Sequence, residues 1–349
     1  MSAGERTSEG IEVIATTVSG SVQDWRKLAA IEPAFRQHTT RPVRLHQADS
    51  HAAAGAITRD LVRQGARYLI SAGGAGTFNA VVAGAHIGGQ VPPEVRLAFL
   101  RKGSADLLGK ALGVPDDLPL AVESIVNALE QDRSLPVAVL CSECQQPDGS
   151  VAIRRMVGFG GVGVLGEVPR FTESRWKRHY KGVLGSLLGD LGPFYVGLIL
   201  ATVWWHVQLL RGHVPPLRLR LDGQEGPLQT WASVLLCNGD LGQDFPVGRG
   251  LELGDGHFRV LALPYRGVRQ AWRQVSACRT GAILQQPQRY GAQVHDVEEL
   301  HIESAYPTSY PLNVDGLLAF VWQNVRIAVS GRLLVLDSRS VSSRVSTPV

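Results

Sequence analysis

The sequence predicts an α/β protein: a domain built on a parallel sheet, then a second, β-rich domain of sandwich type. Three observations carry this expectation. The chain has 349 residues, more than one hydrophobic core usually serves, so two domains are expected. In the first third, short apolar runs alternate with segments of helical spacing, the mark of βαβ units. From about Ser134 the texture changes to closely spaced strands, the mark of antiparallel sheets. The expected boundaries are 8–133 for the first domain, with residues 330–338 able to return to it, and 134–330 for the second. The serine-rich segment 339–349 reads as a disordered tail.

Element by element, Ile11–Thr16 is a β-branched strand, followed by a turn at Ser19-Gly20 and a helix over about Val22–Gln37. Val43–Leu45 reads as a short strand, and alanine, isoleucine and leucine at helical spacing predict a helix over His51–Gln64. Tyr68–Ser71 is a strand that runs into glycines, Thr77–Ala85 a helix, Leu97–Leu100 a strand and Ala105–Ala111 a short helix. In the second domain Val137–Leu140, Val151–Val157, Leu217–Leu221, Trp231–Leu236, Phe258–Leu263, Leu300–Ser304 and Val325–Val329 read as strands. Only about Glu173–Arg211 reads as helix there, and Asp148-Gly149 marks a hairpin tip.

Apolar residues make up 44% and charged residues 19%, a globular composition. The net charge of +4 suits anionic partners such as nucleotides or a lipid surface and is too mild to imply nucleic acid. No apolar run follows a basic start at the N-terminus, so no secretory signal is expected. Cys141 and Cys144 form a C-x-x-C without the second pair or histidines of a zinc site; incidental thiols are the stronger reading and a redox pair the weaker. A reducing, cytoplasmic setting fits. Residues 193–210 are nearly charge-free and borderline against the roughly 20 apolar residues of a spanning helix. A buried or membrane-touching helix is the preferred reading.

The strongest chemical signal is a strand, a glycine-rich turn and a helix over residues 69–84. Gly73, Gly74 and Gly76 let backbone amides approach an anion, and the helix start adds its dipole. Thr77 offers a cap and a hydroxyl for a phosphate oxygen. No Gly-Lys-Ser/Thr follows, so this is not a Walker A loop, and on chemistry alone a plain tight turn explains it as well.

The string GGAGTFNAVVAG (73–84) resembles the GGDGTxNEVxNG loop of diacylglycerol kinases, sphingosine kinases and bacterial lipid kinases, with the NAD kinases as distant relatives. Other loops follow in that family's order: TVSG (17–20), LRKGSADLLGKALG (100–113), GFGGVGVLGEV (158–168), CNGDLG (237–242) with LGDGHFRV (253–260), and LNVDG (312–316). The resemblance covers residues 11 to about 330. It implies a Rossmann-like nucleotide domain, with the active-site cleft between it and the β-rich domain. It implies ATP and magnesium, a lipid substrate and a peripheral membrane surface as partners, no nucleic acid, and leaves a homodimer open. Matched by position, Ser19, Gly20, Gly73, Gly74, Gly76, Thr77, Gly103 and Ser104 would contact the nucleotide. Asp255 would serve the metal, and Asp315 would take the proton from the lipid hydroxyl. Read without the family, Asp315-Gly316 is a hairpin turn.

The departures thin the acids. The family's loop aspartate is Ala75, the aspartate of its GTAND is Leu107 with Asp106 one place earlier, and the glutamate after the closing Asp-Gly is Leu317. Phosphoryl transfer needs cations around the phosphates and a positioned nucleophile, so each lost carboxylate weighs against speed. Two functions follow: an ATP- and magnesium-dependent lipid kinase, or an impaired relative that binds nucleotide or lipid as a sensor or scaffold. Two competing signals are weaker. The G-x-G-x-x-G of 158–163 lacks a dinucleotide context, because Val164–Val168 reads as β and Pro169 follows. The basic, aromatic run Glu173–Lys181 is read equally as a solvated helix or a lipid-docking one, with Arg175, Lys177 and Arg178 facing phosphates.

Overall fold

A computed structural model describes residues 9–16, 23–101, 107–172 and 192–339. Ser19, Gly20, Gly103, Ser104, Asp106, the run Glu173–Lys181 and the tail from Ser340 onward lie outside the described residues. The chain divides into two compact units, Met1–Val137 with Gly331–Val349, and Ala138–Ser330.

In the first unit strands and helices alternate: β1 (Ile11–Thr16), α1 (Gln23–His38), β2 (Val43–Ala48), α2 (His51–Arg63), β3 (Tyr68–Gly73), α3 (Ala75–Ala85), β4 (Arg96–Arg101), α4 (Leu107–Ala111) and α5 (Leu118–Glu130). The strands pair in parallel in the order β2-β1-β3-β4. All six residues of β1 are buried, as a central parallel strand requires. One of them is Glu12, whose carboxylate is paired with Arg44 and, at 2.7 Å, with His46 of β2. Helix α2 starts where the Ser50 hydroxyl accepts from the Ala53 amide at 3.1 Å. It crosses α3 at two glycines: a Cβ on Gly84 would lie 2.3 Å from the Gly55 carbonyl oxygen. Gly84, at the end of the family-like string, is therefore a packing glycine that fixes the glycine-loop helix against its neighbour.

The second unit holds β5 (Ser134–Gln145, entering from the first), β6 (Val151–Met156), β7 (Phe159–Gly163), α6 (Val164–Thr172), α7 (Gly192–Leu210), β8 (Leu217–Leu221), β9 (Gln224–Glu225), β10 (Trp231–Cys237) and β11 (Phe258–Pro264). It continues with α8 (Val268–Thr280), α9 (Ala282–Gln285), β12 (Gln293–Val297), β13 (Glu299–Ser304), β14 (Ser309–Val314), β15 (Leu317–Trp322) and β16 (Asn324–Leu336). One antiparallel sheet runs β12-β11-β10-β7-β14-β15; β16, β13, β8 and β9 pair in sequence in the other, with β5 and β6 alongside. A single apolar core containing Trp231, Phe258, Ile302 and Val325 joins residues of both sheets, the expected sandwich.

The region around 158–172 corrects the reading of a β-like Val164–Val168: it is the start of helix α6. The G-x-G-x-x-G lies on strand β7, where a Cβ on Gly160, Gly161 or Gly163 would fall 2.0 to 2.5 Å from a neighbouring carbonyl oxygen. Close strand packing accounts for these glycines, so the dinucleotide reading fails for a reason other than the one given by the sequence. Pro169 sits inside α6 and cannot donate to the Leu165 carbonyl one turn back. The side-chain amide of Asn313 donates to that carbonyl instead, at 3.2 Å. Cys141 and Cys144 stand three residues apart on β5, hence on opposite faces, which excludes a redox pair.

Candidate functional site

In the first unit the strand order reverses between β1 and β3, and open α/β sheets bind ligands beyond the strand ends at such a point. The turn carrying Gly73, Gly74 and Gly76 lies there. Gly74, not Thr77, caps α3: its carbonyl accepts from the Thr77 amide at 3.0 Å and from Phe78 at 3.2 Å. The amides of Ala75 and Gly76 open the helix and have no intrahelical acceptor. Gly74, Ala75 and Gly76 are half-buried.

Thr77 points inward. It is 1% exposed, and its hydroxyl lies 2.6 Å from the hydroxyl of Thr16, tying the end of β1 to α3. A Cβ on Gly73 would stand 2.3 Å from that Thr77 oxygen, so Gly73 is required by packing. Gly74 is different: its φ of −90° suits any residue, and a Cβ there would meet nothing within 4 Å. The turn thus has a packed underside and an open side with helix-start amides, the arrangement that accepts an anion. Strand β4 runs beside β3 with Arg101 opposite Gly73.

In the second unit Asp315 and Gly316, both with positive φ, form the two-residue turn between β14 and β15. The hairpin reading of Asp315 is therefore right as geometry, but the carboxylate does more than turn the chain. It is 4% exposed; one oxygen accepts from the Val157 amide at 2.8 Å, the other from Gly158 at 2.9 Å and Phe159 at 3.1 Å. Buried Asn238 holds the same segment from its carbonyl side, donating to Val157 at 3.1 Å and Ala138 at 2.7 Å, while its own oxygen has no donor among the described residues. Sequence reasoning quoted Asn238 and Asn313 inside motifs without giving either a task. Their places in two family-like strings, Asn238 directly before Gly239 and Asn313 three residues before Gly316, were the signal.

Asp255 is exposed on the loop before β11, with its carboxylate 3.9 Å from His257. Among the described residues no group of three or more His, Cys, Asp or Glu side chains is placed to hold a metal ion. That donor set fits magnesium only as a nucleotide complex, in which one carboxylate and the phosphates share the ion. Of the lost acids, Ala75 is at the half-buried helix start, whereas Leu107 is 6% exposed in the core and Leu317 opens β15 opposite Val314. A recess of about 470 Å³ on the second unit, lined by Arg218, Arg220, His301 and Arg326 among others, contains none of the candidate residues. Its arginines are paired with Glu225, Glu299 and Glu143. Burial pushes the Cys144 thiol up to about 11 and the Cys237 thiol up to about 12, so neither is a ready nucleophile near neutrality.

Residues 11–138 match the family model of the diacylglycerol kinase catalytic domain. No curated protein matches the chain. Two of the most similar solved structures come from Bacillus anthracis str. Sterne. One, described as a presumed diacylglycerol kinase, is 14% identical with a TM-score of 0.63, over 94% of this chain and 96% of that one. The other, described as a diacylglycerol kinase, is 13% identical with a TM-score of 0.60, over 94% and 97%. At such identity the two structures establish a shared fold, and the family match establishes which catalytic domain the first unit resembles.

Proposed function

We propose that this chain, whose residues 11–138 match the diacylglycerol kinase catalytic domain, is an ATP- and magnesium-dependent lipid kinase acting on the hydroxyl of diacylglycerol, a sphingoid base or a related lipid. The observation that carries the proposal is the glycine turn after β3, with helix-start amides that have no intrahelical acceptor and open space at Gly74 at the point where the strand order reverses. In this reading the backbone of Gly73, Gly74, Ala75 and Gly76 receives phosphate, with Ser19, Gly20, Gly103 and Ser104 contributing from adjoining segments. Thr77 holds the turn in shape from beneath. Magnesium, carried with the nucleotide and met by Asp255, neutralises phosphate charge. Asp315 orients or deprotonates the lipid hydroxyl, and doing so requires it to release an amide it holds at rest. The lipid is collected from a membrane surface, consistent with the absence, among the described residues, of any helix long and apolar enough to cross one.

Ala75, Leu107 and Leu317 favour a second reading, a slow or inert relative that senses nucleotide or lipid. One experiment separates nucleotide binding from turnover. The parent should melt higher with millimolar magnesium–ATP. Gly74→Ala should keep the ligand-free melting temperature within about 1 °C, since its Cβ meets nothing. It should also lose most of the nucleotide shift, because that methyl enters the phosphate space. Labelled phosphate transfer to lipid extracts then reads catalysis. A parent indifferent to magnesium–ATP would remove both readings that involve nucleotide.

A further inference from the structure

Helix α7 buries one side and leaves a row of aliphatic side chains exposed on the other. Ala201 is fully buried, Thr202 and Trp205 nearly so. Gly197 lies against α6, where an added Cβ would sit 2.5 Å from a Thr172 methyl. On the other side Ile199, Leu200, Val203, Val207 and Leu210 fall within an arc of roughly 100°. Of these, Ile199 is 47% exposed, Val203 57% and Leu210 88%. No charged residue occurs between Gly192 and Leu210. An ordinary surface helix turns such a stripe inward. The apolar surface continues beside the stripe: the Arg170 guanidinium lies over the rings of Trp204 and Phe320, at 5.7 and 5.9 Å, and Phe320 is exposed on β15. The first charge after the helix is Arg211, exposed like His213.

We infer that α7 is the element by which the second unit docks on a bilayer, lying flat in the interface with its aliphatic stripe among the acyl chains. The inference deepens the lipid-kinase reading, on which the choice of a bilayer rests. The helix does not qualify as a membrane span. What it presents is the profile of an in-plane helix: an aliphatic arc, the ring of Trp204 near its edge, and an exposed Arg211 directly after its last turn, while Arg170 is paired with Glu167. The absence of acidic residues along it suits an anionic leaflet. Val203 and Ile199 are about half exposed in the free protein, so much of their contribution to docking is separable from their contribution to folding.

The test uses the full chain and co-sedimentation with vesicles of phosphatidylcholine, with and without phosphatidylglycerol. The parent binds both and binds the anionic vesicles more tightly, with salt removing only that increment. The double variant Ile199→Gln/Val203→Gln loses about tenfold in partitioning per residue and keeps its melting temperature, glutamine being a sound helix former. Equal vesicle binding by parent and double variant overturns the inference, as does a parent that binds neither vesicle. So does a parent that self-associates without lipid while the variant does not, since a second copy would then cover the stripe. Transfer to a water-soluble short-chain lipid is read in parallel. A chain that docks through α7 but transfers nothing sinks the kinase reading alone. A chain that transfers but docks equally after the double substitution sinks the docking inference alone.

Discussion

Asp315→Asn is the substitution a lipid-kinase reading would choose first to silence the chemistry, and the structure predicts that it does something larger. The carboxylate receives three backbone amides, from Val157, Gly158 and Phe159. Asparagine can keep its oxygen toward Gly158 and Phe159, but its NH₂ then faces the Val157 amide, donor against donor. One buried donor left unsatisfied costs about 1–3 kcal/mol, and the two remaining bonds, no longer charge-assisted, weaken by roughly 0.5–1 kcal/mol each. The expected loss is about 3 kcal/mol, which for a unit of this size lowers the melting temperature by about 6–12 °C. Asp315→Ala abandons all three amides and should cost more. Urea unfolding followed by tryptophan emission measures this, because Trp231 is buried in the core of the same unit with its indole N–H bonded to the Leu217 carbonyl. A variant within about 0.5 kcal/mol of the parent would refute the clamp and leave Asp315 free for proton transfer alone. Loss of activity in this variant, unaccompanied by a stability measurement, therefore cannot be assigned to a missing base.

Three further outcomes follow from other parts of the structure. Ala75→Asp places a carboxylate at the half-buried first turn of α3, where the helix dipole favours it by about 0.3–1 kcal/mol, so melting should hold or rise; lipid phosphorylation should increase if the lost acid limits the rate. Leu107→Asp puts the same group into the core at a cost of about 3–5 kcal/mol, so melting curves of the two variants should diverge, and similar curves would contradict the placement of Leu107. The thiols of Cys144 and Cys237, raised by burial from 9.0 to about 11 and about 12, give an alkaline signature. Their contribution is complete below the unfolded value and is lost as pH climbs toward the folded ones, by roughly 1.4 kcal/mol per pH unit for each thiol. Melting temperatures of the parent should fall more steeply above pH 9 than those of a Cys144→Ala/Cys237→Ala variant; parallel curves would refute the shifts.

Periodic elements were legible in the sequence because one residue after another repeats the same instruction. Ile11–Thr16, Tyr68–Gly73 and Arg96–Arg101 are strands where apolar runs were read, and the glycine turn sits between strand and helix as expected. Helix α5 was missed although Asp117 caps it, accepting from the Leu120 amide at 3.2 Å; the proline at 119 reads as a breaker unless the cap is noticed first. Helix α6 was mistaken for a strand because its valines and Pro169 oppose helix locally, and the compensating donor, Asn313, is 148 residues distant. The same limit applies to the site. The glycines announce an anion-accepting turn by composition, whereas the hold of Asp315 on Val157 spans 158 residues and leaves no spacing to read. Thr77 was visible as a hydroxyl next to glycine, but only its meeting with Thr16, 61 residues earlier, shows that it faces inward.

Strand β16 leaves the second unit at Ser330 and completes the first, where Leu334 and Val335 pair in parallel with Arg96 and Leu97 of β4. Asp337 and Arg339 are then tied to Arg133 by backbone and guanidinium hydrogen bonds. On the ribosome this order has a cost in time. At roughly 5–20 residues per second, β4 waits ten seconds or more with its edge unpaired before its last neighbour is synthesised. An open parallel edge of that kind recruits foreign strands. The second unit, continuous in sequence, can finish first, so the first unit is the later of the two to close. A fragment ending near residue 138, though it spans the whole matched catalytic-domain segment, would stay permanently in that waiting state and should be isolated as aggregate rather than as a small working domain.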